Sequence, residues 1–111
     1  MGATDLVARY CNHLGLDMSI VRVTEAITMK IQEHGCLAGR SPITIAAATI
    51  YLVTLLVNEQ RTARRISVAA GVSDVTIKHS YKEVLKVLDQ VLTPDILAKD
   101  RRIDLSRIEA K

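Results

Sequence analysis

The sequence predicts an all-α domain. Three observations carry that expectation. The chain is 49% hydrophobic, filled with Ala, Ile, Leu and Val rather than Phe or Trp, and broken by only two prolines and five glycines. Apolar residues recur at helical rather than strand spacing along most of its 111 residues. Most of these periodic runs are bounded by residues that start or stop helices. At this length one hydrophobic core, and one domain, is expected.

The first helix is expected over 3–14, where Leu6, Val7, Tyr10, Cys11 and Leu14 share a face and Gly15 ends the run. The second is expected over 19–34, capped by Ser19, with Val23, Ile27 and Ile31 inward and His34-Gly35 as the stop. In 39-GRSP-42, Ser41 suits the N-cap and Pro42 the first helical position, where its missing N–H costs nothing. The third helix, 42–57, is apolar almost all round and should form the buried centre, with Ile45, Ala46, Ile50, Leu52 and Val53 inside. Thr62 caps a short fourth helix to residue 70, with Ile66 and Ala69 inward. Gly71 supplies a turn and Ser73 caps a fifth helix over 74–91, with Ile77, Tyr81, Val84, Leu85 and Leu88 inside, closed by Thr93-Pro94. The expected domain spans 1–98, with a helix-turn-helix at 62–91. A charged, weakly periodic tail over 99–111 is expected to be partly ordered or frayed.

Charge is unevenly distributed. The formal net charge is +3, yet residues 61–86 hold Arg61, Arg64, Arg65, Lys78, Lys82 and Lys86 against Asp74 and Glu83, a local +4 that leaves the rest at −1. Such an excess on one segment points to a polyanionic partner. With Ile77, Tyr81, Val84 and Leu88 inward, Val75, Lys78, His79 and Lys82 fall at i, i+3, i+4 and i+7 on the outer face. This is the N-terminal half of the second helix, the part of a recognition helix that enters the major groove. A lysine there can donate to guanine O6 or N7, and an exposed valine can pack on a thymine methyl. Arg61, Arg64 and Arg65 on the preceding helix can reach phosphates. A solvated basic face gives the same pattern, and the residues alone leave both readings open.

Other chemistries find less support. Cys11 and Cys36, with His13 and His34, offer four zinc-ligand types. Each Cys/His pair is spaced i, i+2, so its members point about 200° apart on a helix, whereas zinc needs convergent ligands. Two free, reduced cysteines and no metal are expected. The segment 35-GCLAGRS-41 lacks the lysine and spacing of a phosphate-binding loop. No Ser-His-Asp or paired-carboxylate set is placed by helical spacing, so no enzyme and no cofactor is expected. The longest apolar run, 43-ITIAAATIYLVTLLV-57, falls short of the roughly 20 residues that span a bilayer. Asp5 and Arg9 in the first apolar stretch argue against a secretory signal.

The blocks 39-GRSPITIAAATIYL-52 and 59-EQRTARRISVAAGVSDVTIKHSYK-82, with the opening 5-DLVARYCNHLGL-16, resemble the second cyclin-like repeat of transcription factor IIB. The resemblance covers residues 5–96 and implies a five-helix cyclin box. It implies a nuclear transcription initiation domain that lies on promoter DNA upstream of the TATA element, on a complex with TATA-binding protein, and helps recruit RNA polymerase II. The family's two base-reading positions match Val75 and Lys78. The second is typically arginine, and lysine keeps the charge but loses the bidentate fork that fits guanine. Arg40 and Arg64 match positions that touch backbone phosphate. The family's zinc ribbon, linker and first cyclin repeat lie outside these 111 residues, so the first repeat is an expected partner, and one repeat alone is expected to bind weakly. The related RNA polymerase III factor and a protein-only cyclin-box adaptor are the alternatives.

Overall fold

A computed structural model describes residues 2–109. Met1, in the expected 1–98 domain, and Ala110 and Lys111, in the expected tail, lie outside the described residues. Among the described residues eight helices follow one another: α1 (Ala3–His13), α2 (Met18–His34), α3 (Pro42–Leu56), α4 (Ala63–Ala70), α5 (Asp74–Leu85), α6 (Leu88–Val91), α7 (Pro94–Leu97) and α8 (Ser106–Glu109). No strand occurs among the described residues. The first five correspond to the five expected helices, and the all-α, cyclin-like expectation holds.

The fold is built around α3. Twelve of its 15 residues are buried, and α1, α2, α4 and α5 all pack against it. Ala46, Ala47 and Ala48 let neighbouring helices approach closely, while Ile50, Leu52, Val53 and Leu56 fill the space between them. Several core residues are threonines, and their hydroxyls would be costly if left unpaired. Most bond one turn back along their own helix. Thr49 Oγ1 donates to the Ile45 carbonyl, Thr24 Oγ1 to Ile20 and Thr28 Oγ1 to Thr24, each at 2.7 Å. Polar atoms thereby enter the core without needing partners on other helices.

Helix ends follow local chemistry. Ser41 Oγ accepts from the Thr44 N–H at 3.2 Å. Gly35 closes α2 at φ +85°, a left-handed conformation that glycine adopts without steric cost. Expectation and structure differ at the start of α2, which begins one residue earlier than expected. Its N-cap is Asp17, whose carboxylate accepts from the Ile20 N–H at 3.0 Å, and Ser19 instead donates to that carboxylate at 2.5 Å. On α4, Ala70 is buried and Ala69 only half-buried, a small rotation from the expected inner face.

One further departure lies in the C-terminal third. The expected helix over 74–91 breaks after Leu85. The Val87 N–H bonds the Val84 carbonyl, a tighter i→i−3 turn, and Val87 leaves helical geometry at φ −127°, ψ +24°. The break turns α6 onto α2, where His34 Nε2 and Gln90 Oε1 lie 2.9 Å apart and Val91 is buried. The tail, expected to be partly ordered or frayed, is held at several points over residues 100–108. Arg102 is the anchor. Its guanidinium donates to both carboxylate oxygens of Asp100, at 3.0 and 2.7 Å, and to Ser19 Oγ at 2.6 Å, and it faces Asp17 at 3.5 Å. The Asp104 N–H bonds the Leu56 carbonyl at 3.0 Å, and Ile103 and Ile108 pack on the core.

Two outcomes follow from this packing. Ile50→Ala, at a fully buried centre position, should cost about 2–5 kcal/mol in urea unfolding, whereas Ile43→Ala, at an exposed position on the same helix, should cost well under about 1 kcal/mol. The second concerns acid. Arg102 holds the Asp100 carboxyl below its usual range, and the Ser19 hydroxyl followed by the Ile20 N–H does the same for Asp17. A depressed carboxylate contributes stability that is complete above its ordinary range near about 4 and is lost as pH falls through the lowered value. The Asp104 amide signal in heteronuclear NMR should therefore keep its docked position at neutral pH and move toward a free-chain position on acidification. Arg102→Ala should produce that movement already at pH 7.

Candidate nucleic-acid interface

The pairing of α4 with α5 begins with three capping residues. Thr62 Oγ1 accepts from the Arg65 N–H at 3.1 Å and starts α4. Gly71, at φ +78°, stops it, with its N–H on the Ser67 carbonyl at 2.8 Å. Ser73 Oγ accepts from the Thr76 N–H at 3.1 Å and starts α5. Only Gly71, Val72 and Ser73 separate the two helices, so the second helix leaves the first through a tight turn.

The rotation of α5 about its axis follows from its inner face. Ile77, Ser80, Tyr81 and Val84 are buried against α3 and α4. Tyr81 meets Tyr51 of α3 edge to face, with ring centres 4.9 Å apart, and burial pushes its phenol above the usual range. With that face turned in, Val75, Lys78, His79 and Lys82 are all exposed, Val75 to 73%. The four expected residues thus form one outer strip. Lys78 and Lys82 form no ion pair among the described residues, whereas Lys86, one turn further on, is engaged with Glu83 at 3.2 Å. Of the two free lysines, Lys78 lies in the first half of α5 and Lys82 in its last turn.

The arginines divide into three cases. Arg64 and Arg65 are exposed on α4 and form no ion pair among the described residues. Arg61 differs: its Nε donates to the Leu14 carbonyl at 2.9 Å and its Nη1 to the Glu59 carbonyl at 2.8 Å. That guanidinium staples the loop before α4 to the end of α1, which leaves it little freedom to meet a phosphate. Arg40 lies in the α2–α3 loop, half-buried, and lines a cleft with Ile31, Leu37 and Ile45.

A cleft of about 380 Å³ beside α4, lined by His13, Leu14, Arg64, Arg65, Val68 and Ala69, was not expected. The spacing of Arg64, Arg65 and Val68 at i, i+1 and i+4 was visible in the sequence, but nothing local pairs His13 with them. Burial raises the Cys11 thiol to about 12, with Glu25 adding to the effect, and burial also raises Cys36. Both are free thiols. Cys11 points into the core while His13, two residues on, is exposed. No group of three or more metal-ligating side chains comes together among the described residues. No helix is long and apolar enough to cross a membrane among the described residues.

The family model for the transcription factor TFIIB repeat matches residues 1–87. The transcription initiation factor IIB of Encephalitozoon cuniculi is 37% identical over 101 residues, covering 90% of this chain and 32% of that protein. That of Schizosaccharomyces pombe is 38% identical over 96 residues, covering 86% and 28%, and that of Dictyostelium discoideum 35% over 95, covering 86% and 29%. The chain thus spans about a third of the length of the relatives it matches, the extent of a single repeat. The chain belongs to the TFIIB repeat family.

Proposed function

We propose that this repeat acts in transcription initiation by lying on promoter DNA through α4 and α5, upstream of the TATA element, within a complex of DNA and TATA-binding protein. The observation that carries the reading is the outer strip of α5. An unpaired, exposed Lys78 stands beside a bare Val75 at the N-terminal end of the second helix, where a recognition helix meets base edges. In this reading Val75 and Lys78 face bases. Arg64, Arg65, His79 and Lys82 face the phosphates alongside, and Arg40 extends the backbone contact from the α2–α3 loop. Arg61 acts indirectly, by holding the loop before α4. As a second cyclin-like repeat it works beside a first repeat of the same protein, in the nucleus, and helps recruit RNA polymerase II. The RNA polymerase III factor is the nearest alternative, since its repeats are similar.

Binding of wild type and variants to matched and scrambled upstream DNA tests this. Arg64→Ala should weaken all sequences about equally and lower the salt slope by about one. Lys78→Ala should cost about 1 kcal/mol on a preferred site, the low end for a base contact because lysine lacks the arginine fork, and less elsewhere. Lys78→Arg should sharpen preference for a guanine-containing site. Arg61→Ala should instead lower thermal stability, on the order of 1–2 kcal/mol, and leave the salt slope nearly unchanged. If Lys78→Ala alters no affinity on any sequence while the fold is intact, the strip is only a solvated helix face, and the protein-only adaptor reading takes its place.

The partner claim has its own measurement. A local excess of +4 releases few counterions and supports only weak binding to bare DNA. In a gel shift the repeat should join a complex of TATA-binding protein and DNA at lower concentration than it joins the same DNA alone. Equal affinity in the two arms would exclude a contribution from TATA-binding protein.

A further inference from the structure

We propose that Asp74 is a further base-reading group on α5, one that accepts from the N4 amino group of a cytosine close to the guanine that Lys78 faces. The inference rests on the reading of α5 as a DNA-facing helix and adds to it a group of opposite charge. Asp74 is the first residue of α5 and the acidic residue of its first turn. It is half-buried and takes part in no ion pair among the described residues. Its Oδ1 accepts from the Val75 N–H at 3.0 Å, which fixes the direction of the carboxylate. Four residues separate it from Lys78, so the two stand about 40° apart around the helix axis and about 6 Å apart along it. Base pairs stack about 3.4 Å apart, so an acid and a base at this spacing address base pairs one or two steps apart.

A carboxylate is out of place on a surface that meets phosphates. Asp74 shares α4 and α5 with the exposed Arg64, Arg65, Lys78 and Lys82, and its charge lowers affinity for every DNA sequence through repulsion. What repulsion can supply is discrimination. In the major groove guanine shows O6 and N7, and thymine shows O4 beside its methyl, so neither offers a donor to a carboxylate. Adenine offers its N6 amino group next to the acceptor N7, whereas cytosine offers its N4 amino group with no acceptor beside it. Cytosine is therefore the base that a fixed carboxylate meets without repulsion. Lys78 is a donor and makes the opposite choice, guanine O6 and N7. Acid and base together select a site that holds a cytosine and a guanine at one spacing, where lysine alone accepts any guanine. A negative charge at a helix N-terminus also suits the helix dipole, but that use carries no dependence on DNA sequence.

The test uses the chain bound with TATA-binding protein on promoter duplexes, with each upstream base pair varied in turn to all four identities at one fixed salt concentration. At one position wild type should favour cytosine over each other base by about tenfold. Asp74→Ala should abolish that preference and raise affinity for scrambled duplex about twofold, because the repulsion is gone. Asp74→Asn should move the preference at the same position from cytosine to adenine, since a carboxamide pairs with adenine N6 and N7. Ser73 still caps α5 in both variants, so thermal melting should change little. Lys78→Ala should flatten a different position. The proposal is overturned if Asp74→Ala leaves every base preference as it is in wild type. It is equally overturned if Asp74→Ala and Lys78→Ala flatten the same position, for then Asp74 only orients the lysine. If Lys78→Ala changes the base profile and Asp74→Ala does not, the DNA reading stands and this inference falls, whereas if neither changes it both fall.

Discussion

The structure depends on burying one helix from every side. α3 has no polar face to offer water, so α1, α2, α4 and α5 must each place an apolar stripe on it. Small residues at Ala46–Ala48 set how close those helices come, and the branched side chains that follow set how they interlock. Threonines bonded to their own backbone let α2 and α3 carry hydroxyls there without requiring matching groups elsewhere. Each outer helix is thereby committed on its inner stripe and free on its outer one. Function can only be written on those outer stripes, and α4 and α5 are where the exposed cations gather.

Orientation of the outer strip is a matter of helix phase. Successive residues on a helix are turned by about 100°, so a shift of one residue in how α5 seats on α3 would carry Lys78 toward the core. Ile77, Tyr81 and Val84 against α3, with the Tyr51–Tyr81 edge-to-face contact, oppose that shift. The caps at Thr62, Gly71 and Ser73 act on the other end, because they determine the residue at which each helix begins or stops. Core packing and capping thus agree on one phase, and agreement between local and global signals is what makes a surface face reproducible.

What was legible in the sequence was what is local. Ser41, Thr62 and Ser73 each cap the N–H three residues on, so the evidence for them lies within one turn. The start of α2 failed because two capping residues, Asp17 and Ser19, stand two apart, and charge favours the carboxylate at a helix N-terminus. The break after Leu85 was hidden because Leu85, Leu88 and Val91 continue the helical period with no glycine or proline to interrupt it. The tail and Arg61 were hidden for a different reason. Arg102 reaches Ser19 across 83 residues and Arg61 reaches the Leu14 carbonyl across 47, and no pattern along the chain encodes such a meeting. Of the candidate site, the strip on α5 follows from periodicity alone. The separation of Arg61 from Arg64 and Arg65 does not, because all three read as surface cations until the carbonyls that engage Arg61 are placed beside it.

That separation bears on how the eight residues of α4 divide between core and surface. Its inner face, through Ala63, Ile66 and Ala70, holds α4 against the core. The outer surface that remains is narrow, and it carries Arg64, Arg65 and Val68 and nothing acidic. Phosphates and carboxylates make the same electrostatic demand of such a surface, so charge alone does not assign it to nucleic acid or to protein. The apolar residues differ between the two surfaces. On α5 the exposed valine stands beside lysines at the end of a helix that a groove can admit. On α4 the exposed valine borders a cleft that it shares with His13 and Leu14 at the end of α1. Similar charge is therefore set around two differently placed valines, and what distinguishes the two surfaces is the apolar surroundings of each.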